Sequence, residues 1–290
     1  MRIPRQKKEG KNMKMKKLLA AVLACLLVLS CTACGGAAET KTIASPDDFD
    51  GAKVSVQTAT TAHDSLQEMV DNGSTVEVLP YEKITQCFDD LELGRCDAVY
   101  VDSVVAAYYL TGDDSNVQSV WTSDEGEPMG ICIKKGNTEL LAAVEAAVDT
   151  LYANGKIGEI AKTHFGDNVT EGVRSVTEAP VIDTENLKTV KEGRLLVGFE
   201  AGYPPMEYTD DTGLNYIGFD VDLAKEIAAL FGLEIEFVNT AWDGIFAGLD
   251  KDQYDMIISG VSITPDRQEA YEMTEPYISN KLVIVTKKPE

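Results

Sequence analysis

The sequence predicts an α/β fold of two similar lobes, each built on a mostly parallel sheet, with a cleft between them. Three observations point there. The order strand, helix, strand, helix, strand runs through residues 53–102 and recurs through residues 194–260, and alternating β and α segments build parallel sheets. "LGRCDAVYVD" and "DKDQYDMIISG" mark matching places in the two runs, because each sets an Asp before a hydrophobic strand that ends in a polar turn. The 290 residues suffice for two modest hydrophobic cores.

In the first run, "KVSVQ" (53–57) is a short β-branched strand and residues 61–71 read as a helix. "TVEVL" (75–79) alternates with period two, and "YEKITQCFDDLELG" (81–94) is an amphipathic helix stopped by Gly94. "CDAVYVD" (96–102) is apolar enough for a buried strand. "MGICIKKGN" (129–137) reads as a strand leaving the first lobe. Residues 138–166 form a helical pair broken at Asn154-Gly155, and residues 167–186 hold no sustained period and read as a linker. In the second run "RLLVGF" (194–199) is a strand. "FDVDLAKEIAALFG" (219–232) is a helix with Asp220 as N-cap, Leu223, Ile227 and Leu230 on one face, and Gly232 as its stop. "LEIEFVN" (233–239) alternates, "WDGIFAGL" (242–249) starts a short helix, and "YDMIISG" (254–260) is a buried strand.

Charge divides the chain sharply. The first 33 residues carry eight Lys/Arg and one acid, so against a total of −22 the remainder stands at −29. So acidic a body does not bind nucleic acid, which needs stripes of Lys and Arg on its phosphates. The basic start leads into an apolar run over 18–30, too short to span a bilayer and followed by small residues, as in a secretory leader. Beyond it lie Cys31 and Cys34, either of which could follow the leader, with Cys34 preferred; the remaining Cys87, Cys96 and Cys132 show no metal-ligand spacing and read as buried thiols, with a Cys87–Cys96 disulfide left open. No cofactor or metal set is visible.

Ligands of open α/β sheets sit at the carboxyl ends of the strands, where loops and helix N-termini converge. "SGVSITPDR" follows one such end. Ser259, Gly260 and Ser262 offer hydroxyls and amides, Thr264 caps a helix with Pro265 at its first position, and Arg267 falls in its first turn. A guanidinium beside oriented N–H groups suits a carboxylate. "QTATT" supplies Thr60 and Thr61 at the other lobe's helix start, and "VYVD" ends in Asp102, a carboxylate where an ammonium could bind. Tyr203 and Trp242 could sandwich an apolar or planar side chain. Together these groups suit one molecule with a carboxylate, an ammonium and a side chain. No nucleophile with a His base is placed.

"GYPPMEY", "GFDVDLAKEIA", "WDGIFAGL", "YDMIISGVSITPDRQ" and "EPYISNKLVIVTKK" resemble the first half of the extracytoplasmic amino-acid-binding proteins of ABC importers, family 3 solute-binding proteins of the type II periplasmic-binding fold. "DDFDGAKVSVQTATTAHDSL", "LELGRCDAVYVDSVVAAYY" and "MGICIKKGNTELLAAVEAAVDTLYANGKIGEIAKTHFG" resemble their second half. The halves stand in swapped order, so the resemblance implies a circular permutation. It divides the chain into a lipoprotein signal (1–33) lipidated at Cys34, a tether (34–47), a smaller lobe (48–134), helices packing on the larger lobe (135–166), a linker joining the family's usual chain ends (167–186), and the main part of the larger lobe (187–290). One crossover near 133–136 would remain, with the new ends in the other hinge.

The resemblance also implies roles. Arg267 and Thr61, with Thr60 and nearby amides, would hold an α-carboxylate. Asp102, Ser262 and the Gly260 carbonyl would hold an α-ammonium. Tyr203 and Trp242 would flank the side chain, Glu200 would reach its far end, and Ser259 would contribute. Ala59 stands where relatives commonly have Gly, Met206 where Phe is frequent, and Phe199 where a small residue is usual. The implied protein is a monomeric, lipid-anchored, extracytoplasmic binder of a polar or cationic L-amino acid that partners an ABC permease, and not an enzyme. A tethered amino-acid sensor or a remnant of a tandem binding protein are the alternatives.

Overall fold

Buried β-branched runs set the skeleton of the computed structural model, which describes residues 41–111 and 115–289. The expected leader and Cys34 lie outside the described residues. Strand β1 (Lys53–Gln57) leads to helix α1 (Thr61–Asp71), β2 (Glu77–Tyr81), α2 (Ile84–Glu92), β3 (Ala98–Asp102), α3 (Ser103–Leu110) and β4 (Val117–Thr122). After the short β5 (Cys132–Ile133) come α4 (Thr138–Ala153) and α5 (Lys156–Phe165). The second run holds β6 (Arg194–Phe199), the hairpin β7 (Tyr208–Thr209) and β8 (Tyr216–Ile217), α6 (Phe219–Phe231), β9 (Glu234–Asn239), α7 (Ile245–Asp250) and β10 (Met256–Ile257). Helix α8 (Pro265–Ala270), β11 (Glu272–Met273) and β12 (Leu282–Lys287) complete it.

These strands form two five-stranded sheets, in the orders β2-β1-β3-β12-β4 and β11-β5-β10-β6-β9. In each sheet four strands run one way, and the fifth is reversed. The reversed strands are β12 and β5, the two that arrive from the other lobe. Both sheets are covered on both faces, which is why β3 is buried at every position and reads as an unbroken apolar run. Close packing requires glycine at Gly198 of β6, where a Cβ would lie 2.4 Å from the Tyr254 ring.

The chain therefore crosses between lobes twice, through residues 123–131 and 274–281, and the expectation of a single crossover near 133–136 fails. The crossovers lie antiparallel and hydrogen-bonded: Glu127 N donates to Asn280 O at 2.7 Å, Met129 N to Ile278 O at 3.1 Å, and Tyr277 N to Met129 O at 2.9 Å. "LVIVTK" is continuous in sequence with the second run, yet it fills the slot between β3 and β4 in the first sheet. The chain's last strand thus lies beyond the hinge, inside the first lobe.

Helices α4 and α5 break at Gly155, which takes φ 76°, and pack on α6 through Phe165 against Phe219, ring centroids 5.5 Å apart. Residues 167–186 contain no helix or strand, but the segment is pinned by Arg174. Its guanidinium lies 2.7 Å from both Glu145 and Asp149, and Nε donates to Pro276 O. Cys87, Cys96 and Cys132 are all buried free thiols. Among the described residues, no helix is long and apolar enough to cross a membrane.

Candidate functional site

All ten residues expected at the cleft line one cavity. The space among them, counted together with its opening to solvent, is about 310 Å³, and Gln57 and Glu207 complete the lining. The sheet architecture explains the convergence. Gln57 and Asp102 end β1 and β3, Glu200 follows β6, and Ser259 follows β10, so parallel strands of both lobes aim their carboxyl ends at one gap.

From the second lobe comes Arg267. Thr264 caps α8 by accepting from Arg267 N at 3.2 Å, and Pro265 takes the first turn, as the sequence implies. This fixes the arginine's backbone. Its side chain donates to Ser262 O at 2.9 Å, and its guanidinium carbon lies 5.6 Å and 5.2 Å from the ring centroids of Trp242 and Phe246. The planar cation is thus held by one hydrogen bond and two aromatic faces. Burial pulls its pKa below the usual range for arginine, while Asp102 opposes that shift.

From the first lobe comes Asp102. It occupies the N-cap position of α3, but its side chain makes no cap bond. Tyr203 Oη donates to one carboxylate oxygen and Asn280 Nδ2 to the other. Burial pushes its pKa up against those two donors. A buried carboxylate and a half-buried guanidinium thus share one small cavity, the charge pattern of a zwitterion in reverse.

Three hydrogen bonds span the cleft: Tyr203 to Asp102, Gln57 Nε2 to Glu200 Oε2 at 2.6 Å, and Trp242 Nε1 to Ala59 O at 2.9 Å. Ala59 has φ 58°. That left-handed conformation suits glycine and costs another residue roughly 1–2 kcal/mol, which gives a physical reason for the glycine of the resemblance. Ala59→Gly should relieve that strain, offset by the roughly 0.5–1 kcal/mol that glycine's freer unfolded chain costs. The expected result is a melting temperature unchanged or raised by a few degrees, with the carbonyl still facing Trp242. Met206 and Phe199, which depart from the pattern of the resemblance, do not line the cavity and are buried in the core, Phe199 against Tyr216 and Phe237.

Beneath the cavity the reading of Asp220 is corrected. The N-cap of α6 is Gly218 at φ 132°, where a Cβ would lie 2.2 Å from Met206 O. Asp220 instead lies buried under the 259–260 turn, accepting from Gly260 N at 2.8 Å and Tyr277 Oη at 2.9 Å. Leu230, expected on the inner face of α6, is exposed, and Phe231 is buried in its place. Glu207 accepts from Ser259 Oγ at 2.6 Å, and Ser259 Oγ accepts from Glu200 N at 3.0 Å. Ser259 is thereby committed to the protein itself. Glu207 Oε2 and Asp220 Oδ1 are buried without another donor. The two acids adjoin, and one proton between them satisfies both. Burial raises both pKa values, Asp220 to about 7 and Glu207 well above its usual range, and the two donors on Asp220 favour its ionised form, which places the shared proton on the Glu207 side.

The sequence reading missed Gln57, Glu207 and the role of Asp220. Gln57 carried a usable signal, since it ends a parallel strand. The other two did not, because their partners are distant in sequence.

Residues 195–290 match the model for bacterial extracellular solute-binding proteins, family 3. L-cystine-binding protein TcyA of Bacillus subtilis (strain 168) is 38% identical over 34% of this chain and 36% of its own length. ABC transporter arginine-binding protein 1 of Escherichia coli (strain K12) is 40% identical over 31% of this chain and 37% of its own. The arginine-bound form of domain 1 from TmArgBP, a crystal structure, is 40% identical over 33% of this chain and 81% of that one, at a TM-score of 0.29. The chain spans between about a third and a half of the length of the curated relatives it matches, 36% of TcyA and 49% of the L-cystine-binding protein TcyJ of Escherichia coli (strain K12).

Proposed function

We propose that this chain is a lipid-anchored, extracytoplasmic binding protein that captures a polar or cationic L-amino acid between its lobes for uptake by an ABC permease. One observation carries the reading: residues from separate stretches of both lobes line a single cavity with a half-buried guanidinium and a buried carboxylate. Arg267 and Thr61 take the α-carboxylate, Asp102 and the Ser262–Gly260 turn take the α-ammonium, and Tyr203 and Trp242 flank the side chain. Relatives that match the chain are named as binders of cystine, arginine and histidine, which supports the amino-acid class. We read the swapped halves as a circular permutation with residues 167–186 as the joining segment, and Cys34 as the lipidated residue. The two complete sheets, each receiving its reversed strand from the other lobe, support one intact two-lobed unit.

Purified protein in a thermal-shift panel of L-amino acids tests this. Ligand at ~1,000 times its Kd adds about 4 kcal/mol, a rise of roughly 8–16 °C for a body of this size. A clean melt that no amino acid shifts rejects the reading. Glu200 sharpens the ligand class. Its buried carboxylate, whose pKa burial raises and Gln57 lowers, is the group available to a cationic side chain. Glu200→Gln should weaken L-arginine and L-lysine by about 10- to 100-fold, the range of a lost charge-assisted bond, and leave L-glutamine within a few-fold. Equal losses across calorimetric titrations of all three would remove Glu200 from side-chain recognition.

A further inference from the structure

Glu127 stands on the first crossover, outside the cavity lining and outside every role so far assigned. Its Oε2 accepts from Thr61 Oγ1 at 3.0 Å, and its backbone N–H is tied to Asn280 of the second crossover. Thr61 lines the cavity with Arg267. A threonine hydroxyl has one proton to give. It can go to Glu127 or to a carboxylate seated by Arg267, but not to both. If the incoming carboxylate takes it, an ionised Glu127 faces only lone pairs on Thr61, close to Asp102 and to the new negative charge. A protonated Glu127 removes the conflict: its O–H donates to Thr61 Oγ1, and the Thr61 O–H donates onward to the ligand.

We propose that Glu127 is a ligand-linked proton acceptor: an amino acid's α-carboxylate binds together with one solvent proton, which settles on Glu127 and makes Thr61 a donor to the ligand. The proposal rests on reading the cavity as an α-carboxylate site. No covalent bond changes, since solvent supplies the proton and returns it on release. The surroundings suit the role. Asp102 and the Tyr100 phenol act on it from β3, Thr61 from α1 and Arg267 from α8, while the Asn280 carbonyl of the second crossover holds its backbone N–H. Burial and Asp102 push Glu127 up to about 7, against the opposing pull of Thr61 and Arg267. A ligand carboxylate adds a second like charge and drives that value higher. Affinity then falls as pH rises from about 7, by up to tenfold per pH unit, until the bound form also loses the proton.

Calorimetric titration of the purified protein with L-arginine and L-glutamine, at pH 8 in phosphate and in Tris, reads the number of protons taken up. Asp102 works in the opposite sense, since an ammonium favours its ionised form and releases a proton, so the informative quantity is the difference between variants. Glu127→Gln supplies a permanent N–H donor to Thr61. It should take up close to one proton fewer than wild type and bind with a flatter pH profile, losing little affinity at pH 8. Thr61→Val removes the relay and should lose the same proton linkage. Equal proton uptake in wild type and Glu127→Gln, with binding intact, overturns the proposal and leaves the cavity's function standing. Failure of both amino acids to bind wild type at pH 6 and pH 8 overturns the α-carboxylate reading and the proposal with it.

Discussion

Arg267→Ala is expected to lose amino-acid binding by about 10²- to 10³-fold while the protein stays folded. A guanidinium can meet a carboxylate with two charge-assisted hydrogen bonds, each contributing roughly 1.5–3 kcal/mol. Every 1.4 kcal/mol is a factor of ten in Kd. The cavity amplifies this because Arg267 is already desolvated and oriented between Trp242 and Phe246. Folding should not suffer in proportion. A half-buried cation held by one backbone carbonyl contributes little net stability once its desolvation is counted, so the melting temperature should stay within a few degrees of wild type. Arg267→Lys keeps the charge but loses both the fork and the stacking plane, and should recover only part of the affinity. Calorimetric titration with the best ligand from the amino-acid panel reads all three proteins. Wild-type affinity in Arg267→Ala would rule out this arginine as the carboxylate anchor.

Asp220→Ala is expected to be the most destabilising of these substitutions, although Asp220 lies outside the cavity lining. The change leaves Gly260 N–H, Tyr277 O–H and the Glu207 carboxyl without their partner, all buried. Stranding a buried polar group costs roughly 1–3 kcal/mol each, so a total of about 4 kcal/mol is reasonable, or a fall of about 8–16 °C in melting temperature. Glu207→Gln should be tolerated, because its amide can donate to Asp220 and its carbonyl can accept from Ser259. The pH dependence separates the two effects. Glu207 keeps its proton in the fold but ionises near pH 4.3 when unfolded. The stability it contributes is therefore fully present below pH ~4.3 and declines as pH rises above it, by about 1.4 kcal/mol per unit. In Glu207→Gln this decline should be shallower by one proton, as read from denaturant melts at several pH values. Parallel slopes would show that no proton bridges the pair.

The cleft was legible because its members obey local rules. Arg267, Thr60, Thr61, Asp102 and Ser259 each stand at a strand's carboxyl end or in the first turn of a helix, positions that sequence patterning marks directly. What remained hidden depended on pairings far apart in the chain. Asp220 carries the local signature of an N-cap, and only the fold brings Gly260 and Tyr277 to it. Glu207 and Glu127 sit in stretches without periodicity. Strand β12 looked like the tail of the second run because strand partners cannot be read from strand patterns, and its neighbours, β3 and β4, lie on the first lobe.

The paired crossovers bear on mechanics. A lone strap between two bodies can bend and also twist. Two straps lying side by side, tied at Glu127–Asn280 and Met129–Ile278, bend together but resist twisting, because twist would shear the hydrogen bonds between them. Relative motion is thereby reduced to one soft coordinate, opening and closing about the line across both straps. A single pair of labels, one on each lobe, is enough to follow it. That coordinate belongs to the straps alone, so the order in which the chain visits the lobes leaves the gate's motion untouched.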